Sequence, residues 1–172
     1  MPTDQKSPST AARLLKLFNT SPPQYHIQTF PSSKNHETVH RAITADDVQD
    51  HLDGNSIVGI HSFVSETEVI HGAIDIDEQD GIGHRENIDF DPTPFQRKIE
   101  ELKLPLVLSA SKSGALRAHL FLKQPTEAVV VRSFLKVILG VFSLPSNTEI
   151  FPKTNKLTGK GTSLYLPYGN NK

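Results

Sequence analysis

The stretch TEVIHGAIDID, residues 67–77, is the most informative part of the sequence for fold and function. It is an apolar run that ends in two carboxylates, so it predicts a rigid strand that presents Asp75 and Asp77 on one face while Ile74 and Ile76 point into a core. Two like charges this close repel each other, and a hard cation such as Mg²⁺ or Mn²⁺ would neutralise both. An ordinary exposed strand end, where such pairs are also common, is the alternative.

The chain before this strand predicts a small α/β unit. Residues 1–9 are expected to be a disordered leader, followed by a short helix AARLLKLF and a strand at residues 25–30. Thr44 is expected to open a second helix that ends at Gly54. The run SIVGIHSFV comes next and is expected to form a hairpin with residues 67–77.

The chain after this strand continues with a helix at residues 94–102, the strands LPLVLSAS and LRAHLFLKQ, a helix at 125–139, and the strands TEIFPK and TSLYLPY. The order from residue 69 is close to the split β-α-β arrangement of ferredoxin-like and RNA-recognition-motif-like (RRM-like) folds. We therefore expect an α+β fold in one domain, 10–172, with an N-terminal α/β unit at 10–68 and an RRM-like palm at 69–172.

Composition excludes several kinds of chemistry. The 172 residues contain no cysteine, which rules out disulfides, Cys-ligated zinc, iron–sulfur clusters and a cysteine nucleophile. The same absence fits a reducing cytoplasm, the expected location. No apolar run approaches the roughly 18 residues of a membrane helix.

Charge is divided unevenly along the chain although the net charge is only −1. Residues 1–95 carry 6 Lys/Arg and 15 Asp/Glu, whereas residues 96–172 carry 12 and 4. A polyanion would be attracted to the second half, and carboxylates of the first half could hold a divalent cation. If folding intermingles the two halves, this division has no functional meaning.

A second cluster, SASKSGALRAHLFL, has a composition suited to phosphate. Its turn offers free N–H groups, hydroxyls and one ammonium, and Arg117 and His119 follow on one face of a strand as a potential triphosphate clamp. A solvated turn with a surface arginine and a satisfied histidine is the alternative. The turn residues are Ser111, Lys112, Ser113 and Gly114.

A third cluster, TEIFPKTNKLTGKGTSLYLPYG, supplies another acid and several lysines. Glu149 lies in a predicted strand that could lie beside Asp75, where a third carboxylate would complete a two-metal site. Lys153, Lys156 and Lys160 could neutralise phosphate or simply keep a loop soluble.

These three clusters, in this order, resemble the motifs of the archaeo-eukaryotic primase superfamily. IDID is similar to the first motif, SASKSGALRAHLFL to the second, and EIFPK with LYLPYG to the third. The similarity is greatest to primase domains of the TOTE conflict system type and to related plasmid, phage and CRISPR-linked primase-polymerases. Many relatives have a small or hydroxyl residue two positions before the histidine, where this chain has Arg117.

The resemblance implies template-directed transfer of NTPs or dNTPs to a 3′-hydroxyl, with Mg²⁺ or Mn²⁺ as cofactor. It implies that Asp75, Asp77 and Glu149 hold the metals and that His119 contacts the nucleotide phosphates. Ser111, Lys112, Ser113 and Gly114 would assist in nucleotide binding, as would Arg117 and Lys153. The implied partners are a single-stranded DNA template, a primer strand and a helicase or other replication module.

Two other classes of protein compete with this interpretation. A non-catalytic nucleic-acid or nucleotide-binding module could use the same scaffold, but it would normally expose paired aromatic side chains on its sheet, and only 7% of residues are aromatic. A metal-dependent glycosyltransferase could use an Asp-x-Asp site, but it usually needs a larger nucleotide-binding domain.

Overall fold

The computed structural model describes residues 8–18, 26–29, 36–76, 91–110, 116–159 and 162–169. These residues form four helices and eight strands, in two antiparallel sheets. Along the chain they are α1 Thr10–Phe18, β1 His26–Thr29, β2 Glu37–Val39, α2 Ala45–Asp53, β3 Ile57–His61, β4 Glu68–Ile76, α3 Thr93–Leu102, β5 Val107–Ala110, β6 Leu116–Glu127, α4 Ala128–Val141, β7 Glu149–Phe151 and β8 Ser163–Tyr165. The predicted α+β fold is confirmed. No helix in these ranges is long and apolar enough to cross a membrane.

The second sheet has the strand order β5-β6-β4-β7, and every neighbouring pair is antiparallel. With α3 and α4 between its strands, the chain order is β-α-β-β-α-β, which is the ferredoxin-like arrangement expected from the sequence. We call this sheet the palm sheet. Its strand β4 lies in the middle, between β6 and β7, so that a residue at the end of β4 has neighbours on both sides.

The first sheet has the order β2-β1-β3-β8 and includes a strand from the far end of the sequence. β8 pairs with β3, with Leu164 opposite Ile60, although β8 falls inside the range 69–172 predicted for the palm. His51 of α2 reinforces this return: its Nδ1 accepts from the Val58 N–H, so its Nε2 donates to the Pro167 carbonyl at 3.0 Å. The two ends of the chain therefore build one sheet together.

Predicted elements differ from observed ones at three places. The hairpin expected between SIVGIHSFV and residues 67–77 is limited to a single bridge between Phe63 and Val69, because β3 and β4 belong to different sheets. The helix expected at 125–139 begins at Ala128, since β6 continues to Glu127 opposite Glu68. β2 was not predicted. Residues 1–7 of the expected leader lie outside the described ranges.

α2 shows how directly a local signal can specify an element. Thr44 accepts from the Asp47 N–H, and Asp47 accepts from the Thr44 N–H, so two of the free donors at the helix start are satisfied. Gly54 ends the helix at φ 79°, in the left-handed region that favours glycine. The predicted start and end of this helix are confirmed.

Alternation along β4 separates a packed face from a polar one. Ile74 and Ile76 are fully buried against α4, which contributes Leu135 and Ile138 to the same core. The opposite face carries Ala73, which packs with Phe151 and with Leu164 of the first sheet. The polar face of the palm sheet is therefore turned toward the first sheet.

Gly72 allows α4 to lie directly on β4. A Cβ at this position would come within 2.8 Å of Val131 Cγ1 and 3.0 Å of Leu135 Cδ1. We expect Gly72→Ala to lower the free energy of unfolding by about 1–3 kcal/mol, because helix and sheet must separate slightly. Urea denaturation measures the change.

Gly140 provides the matched control for that substitution. Nothing lies within 4 Å of a Cβ added there, on the exposed side of α4. Gly140→Ala should therefore raise stability, by up to about 1 kcal/mol, through helix propensity alone. An equal change in the free energy of unfolding for the two substitutions would show that the close packing at Gly72 does not contribute to stability.

Candidate active site

Asp75 lies between two charged residues of opposite sign, one on each neighbouring strand. Its register partner on β6 is Arg117, and its register partner on β7 is Glu149. Directly opposite residues of an antiparallel pair have Cβ atoms about 4.5–5.5 Å apart. The palm sheet therefore brings together three residues that the sequence separates by 42 and by 74 positions, and the predicted placement of Glu149 beside Asp75 is confirmed.

Arg117 holds both oxygens of Asp75. Its Nε donates to Oδ1 at 3.1 Å and its Nη2 donates to Oδ2 at 2.9 Å, which is the bidentate geometry of a strong ion pair. The third guanidinium nitrogen, Nη1, donates to the Tyr165 carbonyl of β8 at 2.9 Å. Arg117 thus joins the palm sheet to the first sheet and fixes the orientation of Asp75.

This pair is largely shielded from water. The side chain of Arg117 is 6% exposed and that of Asp75 is 14% exposed. Burying either charge alone would be costly, so each stabilises the other. In this arrangement Arg117 does not lie free at the surface, as one alternative from the sequence had it.

Glu149 has a different, more open environment. Its carboxylate pairs with Lys153, four residues further along, and the two side chains are 29% and 40% exposed. The Lys153 ammonium lies 5.2 Å from the centre of the Phe151 ring, which also favours a cation there. This ion pair is solvent-screened and therefore weaker than the pair on Asp75.

Two carboxylates of the site offer the kind of ligand that a hard divalent cation prefers. Asp75 and Glu149 present their oxygens from opposite positions on β4 and β7. In the described ranges no group of three or more His, Asp or Glu side chains comes close enough to hold a metal. The predicted third ligand, Asp77, lies outside these ranges.

All three sequence clusters meet at one end of the palm sheet. Leu116, the first residue of β6, is opposite Ile76, the last residue of β4, and also opposite Ala110, the last residue of β5. β7 begins at the same end, with Glu149. The segments that contain Asp77 and the turn residues Ser111, Lys112, Ser113 and Gly114 start from this end, but they lie outside the described residues.

His119 lies two residues along β6 from Arg117 and is buried. Its Nε2 is 2.9 Å from the Ser109 hydroxyl, and its Nδ1 has no hydrogen-bond partner among the described residues. Burial, reinforced by the nearby Arg117 and His71, lowers the pKa of His119 to about 3, so its imidazole is neutral at pH 7. The predicted contact with phosphate stays a prediction.

His71 repeats this arrangement one strand away. Its Nε2 is 3.1 Å from the Ser62 hydroxyl, and complete burial lowers its pKa to about 4. Phe18 of α1 contacts both imidazoles edge-on, with ring centroids 5.6 Å from His71 and 5.4 Å from His119. A phosphate could reach His119 only if the side chains packed against it moved.

Two features of the site were not predicted from the sequence. Ser109 shares a face of the sheet with His119 and Arg117, and the alternation in LVLSAS and LRAHL could have suggested it. The Tyr165 carbonyl had no such signal, since a backbone contact 48 residues away depends on the return of β8.

The ion pairs Arg117–Asp75 and Lys156–Glu66 join the basic second half of the chain to its acidic first half, so folding does intermingle their charges.

The chain has a ferredoxin-like palm with one acid, Asp75, on its central strand and a second acid, Glu149, opposite it on the neighbouring strand. This arrangement is the one expected of a primase-type palm domain. The model of the family described as the archaeo-eukaryotic primase domain of the TOTE conflict system matches residues 16–171, so the chain belongs to that family. The resemblance inferred from the motifs is thereby confirmed. No curated protein sequence matches the chain significantly.

Proposed function

We propose that the chain is a template-directed nucleotidyltransferase that joins NTPs or dNTPs to a 3′-hydroxyl with Mg²⁺ or Mn²⁺. The observation that carries the proposal is the placement of Asp75 directly opposite Glu149 at the end of the palm sheet where the other two motifs begin. Membership of a primase-type family supports it. Single-stranded DNA, a primer strand and a helicase or other replication module are the partners we propose with it.

In this proposal Asp75, Asp77 and Glu149 hold the cations. Divalent cations, when bound, supply positive charge at the attacking and leaving oxygens of an in-line displacement. Asp75 is suited to hold a cation because β4 is a central strand, which places Glu149 of β7 directly opposite it. Lys153 lies beside Glu149, where its ammonium could approach a phosphate oxygen.

His119 would act as a neutral group. With a pKa of about 3 it carries no positive charge at pH 7, so any contact with a phosphate would be a hydrogen bond donated by a neutral imidazole. Positive charge toward the triphosphate would come instead from Arg117, Lys112 and Lys153. This division of roles follows from the burial of the imidazole, and it distinguishes His119 from a cationic phosphate clamp.

One observation favours a second function. Asp75 and Glu149 each have a basic partner of their own, so the described part of the site is electrically neutral without metal. A non-catalytic nucleic-acid or nucleotide-binding module would have that property. The experiment must therefore separate binding from incorporation.

The test is incorporation of labelled dNTPs or NTPs on a single-stranded template, with and without primer, in Mn²⁺, in Mg²⁺ and in excess chelator. We expect incorporation that depends on the metal and on the template sequence. Fluorescence anisotropy with labelled single-stranded DNA measures binding in parallel. Binding without incorporation under every combination of nucleotide, template and metal would favour the binding module.

A further inference from the structure

We propose that Arg117 is a positioning residue that acts as a built-in counter-ion of Asp75 and competes with divalent cations for its carboxylate. The inference rests on the proposed function, because it concerns the same acids. It adds a property that the acids alone do not imply: metal binding at Asp75 would be weak until a negatively charged substrate provides another partner for the guanidinium.

The geometry of the pair carries the first step. Nε and Nη2 of Arg117 engage both carboxylate oxygens of Asp75, so no oxygen of this side chain is left without a donor. A divalent cation prefers the lone pairs of the same oxygens. Metal and guanidinium are therefore alternatives for this carboxylate, or must share it at close range.

The surroundings make sharing unfavourable. With the arginine side chain 6% exposed and the aspartate 14% exposed, little water lies between the charges to screen them. A guanidinium and a divalent cation on one carboxylate would repel each other more strongly here than at a solvated surface. The Tyr165 carbonyl, which accepts from Nη1, holds the guanidinium in place from the other side.

Lys153, the basic partner of Glu149, should limit metal binding much less than Arg117 does. Its pair with Glu149 is more exposed and is made by a flexible side chain, so solvent screens it and the ammonium can move away. Arg117 is bound at three nitrogens and has no comparable freedom. The buried pair should therefore set the affinity of the site for metal.

A nucleotide triphosphate would relieve the competition. Its phosphate oxygens are good acceptors for a guanidinium and also bind the cation, so both positive groups gain a partner. Metal and nucleotide would then bind with positive coupling, which by linkage is the same in both directions. Removal of Arg117 should strengthen the binding of metal alone and reduce this coupling.

The experiment is Mn²⁺ binding in the absence of nucleotide and DNA, followed by the electron paramagnetic resonance signal of free Mn²⁺. We expect Arg117→Met to bind Mn²⁺ about tenfold more tightly than the wild-type protein. The double variant Asp75→Asn/Arg117→Met should lose this gain, because the carboxylate that the substitution freed is gone. An equal or weaker affinity in folded Arg117→Met would overturn the proposal.

Arg41 offers a matched control. It also holds a carboxylate at both oxygens, with Nη1 and Nη2 each donating to Asp47 at 2.6 Å, at the start of α2 and away from the palm sheet. Arg41→Met removes the counter-ion of a buried carboxylate that still accepts from the Thr44 N–H and hydroxyl, without touching the site, and we expect its Mn²⁺ affinity to equal that of the wild-type protein. A tenfold gain in this variant would mean that loss of any arginine counter-ion creates a Mn²⁺ site, which would also overturn the proposal.

Loss of folding is itself informative. If Arg117→Met is unfolded without metal, circular dichroism should show that Mn²⁺ restores the fold, because the cation replaces the missing charge. Failure to fold at any Mn²⁺ concentration would contradict the proposal. Since no arm contains nucleotide, a tight Mn²⁺ site in Arg117→Met alongside absent nucleotide incorporation by the wild-type protein would refute the proposed function and leave the competition for Asp75 standing.

Discussion

Asp75→Asn is expected to reduce metal-dependent primer extension by about a thousandfold or more. Loss of the charge that holds the cation removes several kcal/mol of transition-state stabilisation, and each 1.36 kcal/mol is a factor of ten in rate. Binding of single-stranded DNA should stay within a few-fold of the wild-type value, because it depends on other residues. Extension rates under single-turnover conditions and anisotropy measure the two quantities.

The structure shows why this substitution needs a partner. Asp75→Asn leaves the guanidinium of Arg117 buried without its counter-charge, at a cost of about 3–5 kcal/mol. Inactivity of the single variant could then reflect unfolding. The double variant Asp75→Asn/Arg117→Met removes both charges and should fold, and we expect it to be equally inactive.

Asp53→Asn is the control for removal of an acid as such. Asp53 lies exposed at the end of α2, where it accepts from Gln49, and its substitution should leave extension unchanged.

Glu149→Gln should reduce the rate of primer extension, as Asp75→Asn does. Extension at the wild-type rate by the double variant would contradict the assignment of Asp75 to the metal.

Acidification is expected to destabilise the protein steeply below pH 6.5. Burial lowers the pKa of His71 to about 4 and that of His119 to about 3, whereas both titrate near 6.5 in the unfolded chain. Between these values the unfolded state binds protons that the folded state does not. The stability contributed by the neutral imidazoles is therefore complete above pH 6.5 and is lost as the pH falls toward the folded-state pKa values.

The expected size follows from linkage. Each imidazole adds a slope of about 1.4 kcal/mol per pH unit to the free energy of unfolding, so the two together add about 3 kcal/mol per unit below pH 6. His51 and His61, whose pKa values burial also lowers, act in the same direction. Urea denaturation at several pH values between 7.5 and 4.5 measures this slope.

His71→Phe isolates one of these contributions. The ring is kept beside Phe18 but the titrating group is lost, so the slope should fall by about 1.4 kcal/mol per pH unit. Stability at pH 7.5 gives the separate, pH-independent effect of the changed packing and of the Ser62 hydroxyl left without its partner. An unchanged slope would mean that His71 takes up its proton over the same pH range in the folded protein as in the unfolded chain.

Local signals in the sequence were sufficient for much of the fold. The Thr44 cap and the Gly54 stop depend on residues a few positions apart, and both are confirmed. Period-2 alternation placed Ile74 and Ile76 in the core, where they are fully buried. α4 was predicted as a helix in spite of its β-branched start, because Val131 and Leu135 recur at the helical period, and both pack against β4.

What the sequence could not supply was the pairing of distant segments. The return of β8 to β3, and with it the bond from Arg117 to the Tyr165 carbonyl, depends on where the whole chain goes and leaves no mark near either residue. The sequence also placed Arg117 and His119 together as a clamp without showing their burial. Burial depends on α1 and the first sheet packing over this face, and it turns one residue into an ion-pair partner and the other into a neutral imidazole.

The most direct test of the central claim is a crystal of the wild-type protein grown with Mn²⁺ and a non-hydrolysable nucleotide, measured at a wavelength that reveals the anomalous signal of manganese. We expect a peak about 2 Å from carboxylate oxygens of Asp75 and Glu149, with the guanidinium of Arg117 moved away from Asp75. Manganese bound elsewhere, with the Arg117–Asp75 pair intact beside a bound nucleotide, would contradict it.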